Sequence, residues 1–176
     1  MPNENEIVHE SHVDSAETLL SQYKKVVGEV GQEIFKAAVN EVKRSKADRQ
    51  QRFKIWTQAV EDLDIHKLSV HLLTQFRGSS EKHCPSSDWV TWHYIRIAAI
   101  LTFEYKFLEG KPGKNQLTNA VHDLNDIEYV LLLCRAEGLL TRDNRLVKPL
   151  AKAAFPQKDV FSSLEDVPDE YVCHWS

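Results

Sequence analysis

Residues 123–143 read DLNDIEYVLLLCRAEGLLTRD. Acids open the stretch, an apolar run follows, Gly138 breaks it, and Leu139-Leu140-Thr141 continues as a short buried strand. The pattern is a helix feeding a strand. In open parallel sheets, sites collect at the carboxyl ends of the strands, and Asp143 falls there. A helix packed antiparallel to its strand begins where the strand ends. Asp126, near the helix start, is therefore brought to the same end as Asp143, and Asp123 lies about one turn upstream.

Working outward, Arg142-Asp143-Asn144 turns into a helix from Arg145 to Ala154 that tolerates Pro149 and stops at Pro156. Val160-Phe161-Ser162 reads as a second strand. Helix, strand, helix, strand with short connectors is the order that builds a parallel sheet. Towards the N-terminus the pattern is helical. Leu19, Tyr23, Val26, Val30, Ile34 and Ala37 form one stripe from about Asp14 or Ser15 to Val42. A second helical stretch runs from about Ala47 to Phe76, with Phe53, Trp56, Val60 and Leu63 as its first stripe and a break near Asp62 to Asp64. A third helix, Asp88 to Leu108, is apolar on most sides from Tyr94 to Phe103, which predicts a central, buried position. Ser86 or Ser87 is its expected cap, and Glu109-Gly110-Lys111-Pro112-Gly113 ends it.

The expected class is α/β and strongly helix-rich, with a small parallel sheet. The expected organisation is a disordered N-terminus over 1–14, a helical portion over 15–113, an α/β portion over 114–167 and a surface tail over 168–176. All of it fits one compact domain, since 176 residues suffice to bury a proper core.

Composition narrows the function classes only modestly. The formal net charge of -4 does not mark a nucleic-acid or membrane binder, although local charge outweighs the sum. No apolar run approaches the length of a membrane span, and the polar N-terminus is no signal peptide. Cys84, Cys134 and Cys173 are too scattered for a disulfide framework, which points to a reducing cytoplasm. His66 and His71 do not share a helix face, and His83-Cys84 and Cys173-His174 lack a second half at ligand spacing, so zinc is not expected. Trp56, Trp89 and Trp92 fall at helical spacing and are expected in the core.

Clustered carboxylates are costly unless something neutralises them. Mg or Mn does so with oxygen ligands and can activate water beside a phosphodiester. On that reading Asp126 and Asp143 are the metal ligands and catalytic residues, with Asp123 and Thr141 accessory. Arg142 and Arg145, with Lys148 and Lys152, lie beside them for a substrate phosphate. The other reading is structural: acids at a helix start serve its dipole, and an Asp after a strand caps the next helix. The basic run Lys43, Arg44, Lys46, Arg49, Arg52 and Lys54 is read as a solvated helix face.

The segment DIEYVLLLCRAEGLLTRD, followed by Asn144-Arg145-Leu146 and then a strand with VFSS, resembles the C-terminal half of a PIN domain. Asp126 matches the acid that opens the family's helix, and Thr141-Arg142-Asp143 matches its T-x-D element. The resemblance covers roughly residues 117–167. It implies metal-dependent cleavage of RNA by three or four acids holding Mg or Mn. It also implies two further acids. One ends a first strand, for which residues 1–14 offer only Ile7-Val8 and Asp14. The other is a Glu on a middle helix, matched by Glu104 or Glu81. The expected function is therefore a PIN-like metal-dependent ribonuclease. The alternative is a non-catalytic PIN-like module that binds RNA or protein, with a protein partner or a second copy, or a fragment of a longer nuclease.

Overall fold

A computed structural model describes Gly28, residues 31–63, Ile65, residues 90–109 and residues 116–171. The N-terminal stretch to residue 27, residues 66–89 and the last five residues lie outside the described residues. With them lie Ile7, Val8, Asp14, the Ser86 or Ser87 cap, Glu81, His66, His71, Cys84, Trp89 and the C-terminal Cys173-His174 pair.

Five helices and a two-stranded parallel sheet make up the described fold. Helix α1 occupies residues 31–45. It closes on Lys46 at φ 50, in the left-handed region. There Ala47 N–H donates to Val42 C=O at 3.2 Å and Lys46 N–H to Lys43 C=O at 3.4 Å, the paired bonds of a Schellman turn. Helix α2, Arg49–Glu61, follows at once because Asp48 caps it, accepting from Gln51 N–H at 2.8 Å. Phe53, Trp56, Thr57 and Val60 form its buried face. The expected break after Asp62 is present as a turn.

Helix α3, Val90–Leu108, runs through the middle, as its all-round apolarity predicts. Ile97, Ala99, Ile100 and Phe103 are inaccessible to solvent. Phe35, Trp56, Phe103 and Phe107 stack into one aromatic cluster joining α1, α2 and α3, with centroids 5.0–6.1 Å apart. Arg96 ties α3 to two helix ends. It donates to Ala154 C=O at 2.8 Å and pairs with Glu61 at 3.0 Å.

Helix α4, Gln116–Leu131, buries Ile127 and Val130, then tightens into a 3-10 turn over Leu132–Cys134. The expected helix thus ends earlier than Cys134, which is half-buried against the core. Strand β1 is Gly138–Leu140 and strand β2 is Asp159–Phe161, each one residue earlier than the sequence pattern suggests. They pair in parallel with Leu139 opposite Val160. Gly138 is needed at the start of β1. A Cβ there would stand 3.0 Å from the Phe161 ring and 3.1 Å from the Tyr171 ring. Helix α5, Val147–Ala154, crosses between the strands and packs on α2 and α4 through Leu150, Ala151, Ala153 and Ala154. Its start lies beyond the expected Arg145 because residues 144–146 form a turn first. Among the described residues, no helix is long and apolar enough to cross a membrane.

Candidate functional site

The helix–strand–helix unit α4–β1–α5 delivers the acids as its topology requires. Asp126 and Asp143 line one cleft of about 310 Å³ at the carboxyl end of β1, together with Tyr129, Leu140, Thr141 and Arg142. Asp123 stands behind it, one turn back on α4, and is 1% exposed.

Each carboxylate has a distinct set of partners. Asp123 accepts from the Tyr105 hydroxyl of α3 on Oδ2 and from the Arg145 guanidinium on Oδ1. The same Arg145 nitrogen lies 3.5 Å from Asp126 Oδ2. Asp143 Oδ1 accepts from the backbone N–H of Arg145 at 2.6 Å and of Leu146 at 3.0 Å, and Oδ2 accepts from Val147 N–H at 3.4 Å. Its own N–H donates to Thr141 Oγ1 at 3.2 Å. Asp143 therefore nucleates the turn into α5, the capping role an Asp after a strand commonly takes.

The proton affinities of the two cleft carboxylates move apart. Burial raises Asp126, and the nearby charges of Asp143 and Asp123 raise it further against the pull of Arg145. For Asp143 burial also acts upward, but the amides of Leu146, Arg145 and Val147, with the Arg145 charge, bring it below the usual carboxylate value. Burial, then the bond to Asp123, pushes the Tyr105 phenol far above its ordinary value, so it stays a donor.

Arg145 is the residue whose role differs most from its expected one. Its guanidinium contacts Asp123 and Asp126, while its side chain remains 50% exposed. Arg142 is exposed at the cleft rim and makes no ion pair among the described residues. Glu104, one of the two acids offered for a middle-helix ligand, lies elsewhere. It is 1% exposed on α3 and is held by Arg52 at 2.6 and 2.9 Å and by the Trp56 indole N–H at 2.9 Å. Arg49 Nε is 3.9 Å away. The basic run is accordingly not one solvated face. Lys43, Arg44, Lys46 and Lys54 are exposed, whereas Arg49 and Arg52 turn towards the buried Glu104.

The acids as they are arranged already hold protein donors. Asp123 and Asp143 have both oxygens engaged by donors, and the guanidinium of Arg145 stands where a cation would neutralise Asp123 and Asp126. Among the described residues, no three His, Cys, Asp or Glu side chains are disposed around a common metal position. Sequence reading did not single out Tyr105, the Glu104 network or the inward aim of Arg145. The only trace of them in the sequence is polar side chains within an otherwise apolar α3. The chain matches no family model, no curated protein and no solved structure.

Proposed function

We propose that this chain is a PIN-like module that binds RNA without cleaving it on its own. The observation that carries the reading is Arg145, which contacts both Asp123 and Asp126 and occupies part of the space around them with a protein cation. The order of acid, helix, strand and Thr-x-Asp supports a PIN-like framework, and the three scattered cysteines suit a cytoplasmic protein. The test is incubation of the purified chain with single-stranded RNA and Mn²⁺, followed by electrophoresis and a parallel binding titration in chelator. Expected are intact RNA and binding indifferent to chelator. Metal-dependent cleavage that disappears in Asp126→Asn would overturn the reading. Binding to a protein or to a second copy, with no affinity for RNA, would leave the module and remove its RNA ligand.

A second reading, a Mg- or Mn-dependent ribonuclease, is favoured by one observation: Asp126 and Asp143 do line a single cleft. It requires Arg145 to leave the acids when a metal enters. Calorimetry with Mg²⁺ and Mn²⁺ on wild type and Asp143→Asn decides it. Equal heats, or none, would end the metal site.

A further inference from the structure

A second cleft, of about 350 Å³, takes part of its lining from the residues that follow Asp143. Its lining is Arg49 and Gln50 from the start of α2, Asn144 from the turn, and Lys148, Pro149 and Lys152 from α5. Three cations meet there because α2 packs directly on α5, and because Lys148 and Lys152 are one helical turn apart and share a face. These residues come from two separate basic stretches of the sequence, which only the packing brings together.

The three charges are incompletely compensated. Lys148 bonds to the neutral Ser162 hydroxyl. Neither lysine forms an ion pair among the described residues. Arg49 stands 3.9 Å from Glu104, but that carboxylate is already held in two bonds by Arg52. The Arg49 Nε is buried on the side of Glu104 and has no hydrogen-bond partner among the described residues, so the guanidinium is only loosely compensated by that carboxylate. A cleft with three positive side chains, two amide side chains and no lining acid, in a chain of net charge -4, selects a compact anion with several acceptor oxygens.

We propose that Arg49, Lys148 and Lys152 form a phosphate-binding site, distinct from the acidic cleft and independent of whether that cleft holds metal. Its ligand is a phosphate group, either free as in pyrophosphate or carried on an RNA backbone.

The experiment uses the full chain with two probes: sodium pyrophosphate by calorimetry and a labelled short single-stranded RNA by anisotropy. The site variant is Lys148→Gln with Lys152→Gln. The control, Lys43→Gln with Lys54→Gln, removes the same charge from exposed positions off the cleft. Lys152→Gln alone, at an exposed position, serves should the double variant melt early. The site variant is expected to bind at least one probe on the order of tenfold more weakly, and its salt slope for RNA should fall by roughly 1.4, about 0.7 per lost contact. The control should stay within about twofold. Weakening for both probes assigns the free phosphate group as sufficient, and weakening for RNA alone assigns the backbone. No binding of either probe to wild type overturns the site, as does equal weakening by the control. Binding of both probes that ignores the site variant removes this site, and RNA binding among them leaves the RNA module standing. Pyrophosphate binding without RNA binding does the reverse.

Discussion

Replacing Glu104 by leucine should remove a large share of the stability, and replacing it together with Arg52 should not. Glu104 is 1% exposed, and Arg52, with a side chain 15% exposed, donates to both its oxygens. Removing one member of such a pair leaves an uncompensated charge and costs about 3–5 kcal/mol. The Trp56 indole N–H loses its acceptor as well, adding about 1–3 kcal/mol. The sum, roughly 4–6 kcal/mol after allowing for the partial exposure of Arg52, compares with about 5–15 kcal/mol for a whole domain. Glu104→Gln keeps an acceptor for Trp56 and should lose about half as much. Glu104→Leu with Arg52→Met removes both charges and should recover most of the loss, as replaced buried pairs do. Urea unfolding followed by circular dichroism and tryptophan fluorescence measures each value. Burial raises the Glu104 carboxyl, but the bonds from Arg52 and Trp56 and the charges of Arg52 and Arg49 bring it below its usual value. The associated stability is then complete above the unfolded value of about 4.3 and lost as pH falls through the folded one. Glu104→Gln should lack that acid-side loss. If Glu104→Leu stays within about 1 kcal/mol of wild type, or if the double variant is no better than the single one, the buried pair does not hold α2 to α3 as argued.

Arg145→Gln and Asp123→Asn should each destabilise the chain. In the double variant the losses should fall short of additive by about 1–3 kcal/mol, measured as a urea double-mutant cycle. Additive losses would show that the guanidinium contributes nothing to the acids. Asp143→Ala should cost about 1–2 kcal/mol through the lost bonds to the backbone N–H groups of Arg145, Leu146 and Val147, and Asp143→Asn distinctly less, because one carbonyl still accepts backbone N–H. Lys46→Gly should stabilise the chain by up to about 1 kcal/mol, since glycine enters the left-handed conformation without the steric cost lysine bears. A lowered melting temperature would contradict the Schellman geometry.

The elements of this fold were legible where one period dominated. The stripe Phe53, Trp56 and Val60 and the apolar run of α3 specify burial through side-chain spacing alone. The strand order was legible because a parallel pair needs a crossover helix between its members. Boundaries slipped by one residue at β1 and β2 and by two at α5, where the turn at 144–146 precedes the helix. The proximity of Asp126 and Asp143 followed from topology. What neutralises them did not, because Arg145 has a long side chain with two plausible targets and only tertiary packing selects one. The roles of Tyr105 and Glu104 were hidden for a related reason. Their partners lie 18 and 48–52 residues away in sequence, beyond any local pattern.

Residues 141–149 form a partition with a different chemistry on each side. Asp143 and Val147 face the acidic cleft, while Asn144 and Lys148, each one residue further on, face the basic one. This segment is a wall common to both clefts. Thermodynamic reciprocity then applies: a ligand that shifts this wall from one side changes affinity on the other by the same free energy that a ligand there would return.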